Sequence, residues 1–314
     1  MYSIGIDTSN YTTSAALFDS AAGVMYSKKR LLPVKEGELG LRQSDALFHH
    51  TVALPEILEE SLSSCNNSFE IAAVGVSDKP RDAEGSYMPC FLAGVNVASC
   101  AAKLMNVPLY TFSHQAGHIA AAIYSSGRQE LLSRECLAFH VSGGTTEVVQ
   151  TKPDSEKIIA AKTVLTSLDL KAGQAVDRTG VMLGFPFPAG KLVDAKAQES
   201  DRTFKIKVPM RDGCCSLSGL QNKCEKMKKD GESDSDICRF CIEYIAEALS
   251  AMAKYALSEY GELPLIFSGG VMSNSIIRSR FMKEFDCTFA QPEYSCDNAA
   301  GIAYLASIKK EGIF

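Results

Sequence analysis

"YSIGIDTSNYTTSAALFDS", residues 2–20, and "ECLAFHVSGGTTEVVQT", residues 135–151, are built to one plan. In each, an apolar run of β-forming residues enters a hydroxyl-rich turn and a second apolar run resumes. Laying Ser9-Asn10-Tyr11-Thr12-Thr13 over Ser142-Gly143-Gly144-Thr145-Thr146 aligns two S-x-x-T-T turns at a constant offset of 133 residues. A repeat of this kind is the signature of a duplicated unit.

The context of the two turns agrees. The first is followed by strand-like "IAAVGVS", helix-like "FLAGVNVASCAAKLM", strand-like "VPLYTF" and then the helix of the histidine pair. The second is followed by "GQAVDRTGVMLG", a long helical pattern at 235–258, strand-like "LPLIFSGG" and a helix capped near Ser273. Strands alternating with helices predict α/β layers. We therefore expect two α/β domains, 1–125 and 126–314, joined near the polar "SSGRQELLSRE", with a nucleotide cleft between them.

The totals exclude several classes. The chain of 314 residues is 46% hydrophobic and 22% charged, as for an ordinary globular protein. Its net charge of −5 gives no overall attraction to nucleic acid, so such binding needs a partner subunit or a local basic patch. "KKR" at 28–30 and "KCEKMKK" at 223–229 are the candidates, each also readable as a solvated face. The apolar "MPCFLAGVNVASCAAKLM" carries Asn96 and Lys103 and reads as a core helix, so no membrane span is expected. Eleven scattered cysteines and a start directly on strand-like "MYSIGID" point to a reducing cytoplasm. Cys238-x-x-Cys241 has no second pair at zinc-finger distance and reads as two buried thiols.

Five stretches carry candidate chemistry. His114-x-x-x-His118 in "SHQAGHIAAAI" sets two imidazoles one turn apart on a helix face, either reaching one ion or merely sharing the helix. Gln115 after His114 cannot serve as a base, which excludes the H-E-x-x-H zinc proteases. "VSGGTTEVV" offers glycine amides and hydroxyls for phosphate, or a tight turn. "LIFSGGVMSNS" makes a glycine-rich strand-to-helix turn, where Asn274 binds a sugar or base or caps a helix. Asp177 either accepts from ribose hydroxyls or pairs with Arg178. Asp297 in "YSCDNAAGIAYLA" either caps an apolar helix or completes a His-His-Asp metal triad, a donor set suited to zinc or iron.

In order, "IGIDTSNYTTSAAL", "HQAGH", "VSGGTTEVV", "GQAVDRTGVMLGFPFPAG", "SLSGLQNK", "FSGGVMSN" and "SCDNAAGIAYLA" resemble the TsaD family of tRNA threonylcarbamoyladenosine synthase subunits, formerly called glycoproteases. The resemblance covers nearly the whole chain. It implies a duplicated actin/Hsp70-like (ASKHA) α/β fold and an iron or zinc ion on His114, His118 and Asp297. It also implies an adenine nucleotide or acyl-adenylate against His140, Val141, Ser142, Gly143 and Gly144, with Asp177, Gly190 and Asn274. The implied reaction passes a threonylcarbamoyl group from the adenylate to an adenosine beside the anticodon of tRNA. A related actin-like subunit is the implied partner.

The chain departs from the family pattern in places, among them the helix start "GLRQSDALFHH", which replaces a proline–glutamate version. Thr145 stands where the family turn has histidine, and "SDKPRDAEGSYMPCF" at 77–91 replaces a glycine–proline–glycine loop. They keep open a second expectation, a catalytically silent nucleotide-binding or partner-binding scaffold. A kinase on the same fold is less favoured, because only Asp7 and Asp19 lie near the first hairpin.

Overall fold

A computed structural model describes residues 1–9, 11–33, 41–65, 69–295 and 299–312. They form two compact units that interleave along the chain. The first comprises Met1–Arg134, Lys152–Lys162 and Asp297–Phe314; the second comprises Glu135–Thr151 and Thr163–Cys296. The expected linear division at 125/126 differs from this grouping at 126–134, at 152–162 and at 297–314, all of which fall in the first unit.

The first unit runs β1 (Tyr2–Ser9), β2 (Thr12–Asp19), β3 (Val24–Leu31), α1 (Gln43–Ser63), β4 (Ile71–Lys79), α2 (Phe91–Met105), β5 (Leu109–Ser113) and α3 (His114–Ser126). Then come β6 (Cys136–Val141), β7 (Thr146–Asp154), β8 (Ile158–Thr166), α4 (Ala172–Met182) and α5 (Gly190–Ala197). The short β9 (Met210–Arg211) and β10 (Cys214–Cys215) precede α6 (Ser218–Lys229) and the long α7 (Asp234–Tyr260). β11 (Leu265–Ser268), α8 (Ser275–Glu284), β12 (Cys287–Phe289) and α9 (Ala300–Glu311) complete the order.

The two five-stranded sheets repeat one topology, β3-β2-β1-β4-β5 and β8-β7-β6-β11-β12. β1 pairs antiparallel with β2 and parallel with β4, as β6 does with β7 and β11. This is the duplication that the S-x-x-T-T repeat announces. Strands buried on both faces, such as β1 from Ser3 to Ser9 and β2 from Thr12 to Phe18, are read as continuous apolar runs because helices cover each side.

α9 is held to the first unit by a contact that leaves no room for a side chain. A Cβ on Gly301 would lie 1.8 Å from the Gly117 carbonyl oxygen, so α9 meets α3 backbone to backbone. In the second unit, α7 supplies the spine of the core, with Ile242, Ile245, Leu249 and Met252 buried. Cys238 and Cys241 are buried there too, as expected of inert thiols. Among the described residues no helix is long and apolar enough to cross a membrane.

Candidate functional site

In the first unit the site begins at the end of β1. The Asp7 carboxylate is fully buried; Oδ2 accepts from Ser9 Oγ at 2.8 Å, and Ser77 at the end of β4 donates to Oδ1. His114 Nδ1 lies 3.0 Å from the same Oδ1. A carboxylate only accepts, so Nδ1 carries the proton and the Nε2 lone pair faces away from Asp7. Ser113 caps α3 by accepting from the Ala116 N–H at 3.2 Å, which fixes the first turn on which His114 rides.

One turn on, His118 is 7% exposed, and its Nε2 stands 2.9 Å from His114 Nε2 with the rings inclined at 79°. Two lone pairs this close repel, so a proton or a cation lies between them. Two nitrogens bound to one zinc-like ion at ~2.0–2.1 Å sit about 2.9–3.4 Å apart, and a carboxylate behind one ligand histidine is the usual support. The donor set therefore fits a metal. Asp297, the third expected ligand, lies outside the described residues. Among the described residues no group of three or more His, Cys, Asp or Glu side chains gathers as a metal cage.

In the second unit the turn after β6 closes on itself: Ser142 N–H donates to the Thr145 carbonyl at 2.7 Å and Thr145 N–H to Ser142 Oγ at 3.2 Å. Thr145 thus completes the turn through its backbone. Gly143 and Gly144 are exposed, with open space where a Cβ would stand. α4 starts hard against this turn. Gly173 N–H donates to the Ser142 carbonyl at 3.1 Å, and a Cβ on Gly173 would lie 2.6 Å from the Gly143 nitrogen. His140, half-buried at the strand end, has its Nδ1 3.4 Å from Ser268 Oγ.

From α4 the chain of contacts runs on. Asp177 Oδ1 accepts from the Ala189 N–H at 2.8 Å, next to Gly190 at the start of α5; burial pushes the Asp177 carboxyl above its usual range. Asp177 does not pair with Arg178, which donates to Gln221 instead. Asn274 caps α8, its Oδ1 accepting from Ile276 and Ile277 N–H at 3.1 Å. The helix cap is therefore Asn274 and not Ser273, which ends a short 3-10 turn. Asn274 Nδ2 donates to Asp194 at 2.8 Å, and Ser275 Oγ donates to the same carboxylate at 3.1 Å. A groove of about 590 Å³ opens beside Ser275, lined also by Gln198, Arg239, Ile276, Ser279 and Arg280.

Asp7 and Asp194 are the two residues that the motif reading does not single out as site members. Asp7 was visible only as an acid near the first hairpin; its position two residues ahead of the S-x-x-T-T serine, mirroring His140, was the available signal. Asp194 sits one helical turn after Gly190, and nothing in the sequence joins it to Asn274.

A family model described as "TsaD: tRNA N6-adenosine threonylcarbamoyltransferase" matches residues 36–304. The chain belongs to this family. It is a family of transferases. A relative of that name from Brachyspira hyodysenteriae (strain ATCC 49526 / WA1) is 30% identical over 98% of this chain and 91% of its own length. Another from Riemerella anatipestifer is 27% identical over 98% of this chain and 92% of its own. Among solved structures, full-length HypF in a phosphate- and nucleotide-bound form has a TM-score of 0.59 at 11% identity, over 99% of this chain and 55% of that one. Component A of the Acidaminococcus fermentans (R)-2-hydroxyglutaryl-CoA dehydratase has a TM-score of 0.57 at 14% identity, over 99% of both chains. At such identities these likenesses establish the fold alone, the ASKHA-type duplicated α/β architecture that the threonylcarbamoyltransferase family resemblance implies.

Proposed function

We propose that this protein transfers a threonylcarbamoyl group from an acyl-adenylate to the N6 amine of an adenosine in tRNA, with a divalent ion held by His114 and His118. The observation that carries the reading is the relay Ser77–Asp7–His114–His118, in which a buried carboxylate holds one imidazole so that two Nε2 atoms converge at 2.9 Å. Iron or zinc there, with Asp297 as the expected third ligand, supplies Lewis-acid polarisation of an acyl oxygen.

The remaining work belongs to the chain. Asp7 keeps the His114 proton on Nδ1 and the ring in register. Exposed Gly143 and Gly144, with Ser142 beside them and His140-Val141 leading in, offer amides to the adenylate phosphate. Asp177 accepts from a ribose hydroxyl, with Gly190 allowing close approach and Asn274 held ready by Asp194. In the transfer the adenosine N6 attacks the carbamoyl carbon, the C–O bond to the phosphate breaks, AMP leaves, and the N6 proton passes to solvent. A related actin-like subunit remains the expected partner. The Ser142–Thr145 turn closes with threonine in place of histidine, which supports an intact pocket over the silent scaffold.

Purified protein is assayed for metal content, for adenylate binding by calorimetry, and for label transfer from threonylcarbamoyl-adenylate to tRNA, alongside His114→Ala. Stoichiometric iron or zinc that is lost in His114→Ala together with transfer, while adenylate still binds, is the expected result. Metal content untouched by His114→Ala would sink the metal assignment; adenylate binding without transfer to any tRNA would sink the reaction.

A further inference from the structure

The chain is acidic overall, at −5, yet residues 201–229 hold eight Lys and Arg against three Asp and Glu. In the second unit this stretch forms two layers on α7. Residues 202–208 run extended without strand pairing, and their side chains alternate: Phe204, Ile206 and Val208 turn inward, while Lys205 and Lys207 are exposed. Phe204 packs edge-on against Phe240 of α7 at 5.2 Å. α6 then buries Leu220 and Cys224, and Lys223 lays its ammonium 4.7 Å from the Tyr244 ring centroid, one turn along α7 from Phe240. Arg202 pairs with Glu232, just past the end of α6, which ties the extended strip to the helix.

The outward faces of both layers are cationic. Lys205, Lys207, Lys223, Lys226 and Lys229 are exposed, and Arg178, reaching Gln221 from α4, extends the set. None of these six makes an ion pair among the described residues. Lysines in the last turn of α6 also suit its negative C-terminal end. That does not account for Lys205, Lys207 or Arg178, which stand on no helix C-terminus. The other basic run differs: Arg30 of β3 is neutralised by Glu56 at 2.6 Å and Glu60 at 2.9 Å.

We propose that the strip 202–208, α6 and Arg178 form a docking surface for the phosphate backbone of RNA. The inference rests on the acceptor proposed above and says which face of the second unit meets it. Rows of exposed cations free of ion pairs, over an aromatic and aliphatic base, fit a polyanion whose charges recur along a strand, and not a compact anion that needs one enclosed site.

The test titrates fluorescein-labelled unfractionated tRNA by anisotropy over a salt series. It compares the full chain with a variant carrying Lys205→Gln, Lys207→Gln, Lys226→Gln and Lys229→Gln. We expect affinity to fall about 10–100-fold and the slope of log K against log salt to become shallower by roughly 2–4. Arginine at the same four positions restores both, and Lys196→Gln or Lys254→Gln, at lysines already paired with Glu199 and Glu284, changes neither. Unchanged affinity and slope in the fourfold glutamine variant, with a wild-type melting curve, overturns the surface and leaves the transferase reading standing. Binding with no transfer overturns the reaction and leaves the surface standing. Competition by polyglutamate as strong as by polyuridylate overturns RNA as the partner.

Discussion

Two residues ahead of its S-x-x-T-T serine, the first hairpin carries Asp7 and the second carries His140. Asp7 is sealed from water and bonded by Ser9, Ser77 and His114, whereas His140 is half-buried beside Ser268. The closing threonine diverges as well. Thr13 Oγ1 meets His50 Nδ1 of α1 at 2.8 Å, while Thr146 Oγ1 accepts from the Ala172 N–H at 2.9 Å and so ties down α4. Duplication has kept the backbone positions and exchanged the chemistry. One copy sets a carboxylate behind imidazoles, the arrangement of a cation site; the other opens glycine amides, the arrangement of an anion site.

The sharpest way to break that pairing is mechanical. Gly301→Ala drives a methyl into the Gly117 carbonyl and should cost the first unit about 3 kcal/mol or more, as overpacking against backbone does. Denaturant melts should show it, with the second unit losing far less. Gly173→Ala, against the second turn, is the counterpart and should disturb adenylate binding first.

The threonine partners predict an acid asymmetry. Burial holds His50 down to about 4 from 6.5, so its stability contribution is complete above pH 6.5 and is lost as pH falls towards 4. The loss should be on the order of 3 kcal/mol. His50→Gln should flatten the pH dependence of the denaturation midpoint over that window. A window that survives in His50→Gln would assign the titration elsewhere.

Asp7→Asn should weaken metal binding about 10–100-fold while leaving adenylate affinity unchanged, and His140→Ala should do the reverse. Metal titration and calorimetry on both variants decide it; equal loss of both ligands in either variant would dissolve the division of labour.

The smallest effect is at Asp177. Its carboxyl is raised by burial, so the neutral form is favoured in the fold, and that contribution is lost as pH rises through the raised value. At neutral pH Asp177→Asn, which keeps an acceptor for Ala189 N–H, should raise stability slightly and weaken adenylate binding. A drop in stability would show that the charge is compensated.

Much of this was legible in the residues. The repeat predicts the two like sheets, because a turn of hydroxyls between buried strands is a local pattern that survives duplication. The i,i+4 spacing predicts that His114 and His118 share a face, because helix geometry alone decides it. Asp7 and Asp194 were not legible, since each acquires its role from partners 107 and 80 residues away, His114 and Asn274. The return of α9 was equally hidden: nothing in "AAGIAYLA" names the glycine on α3 that receives it. The two basic runs, alike in composition, separate only when Glu56 and Glu60 are seen on α1 beneath the first.

The seating of Gly301 on Gly117 also sets an order of assembly on the ribosome. The second unit has every one of its segments by Cys296, but the first waits for α9, which follows them all. At ~5–20 residues per second, roughly 10–40 s separate the synthesis of α3 from that of α9. Throughout that interval the small-residue face of α3 stands uncovered in the nascent chain. The first unit, whose β1 precedes every segment of the second, is thus closed after it, and its exposure to chaperones and proteases is timed by translation.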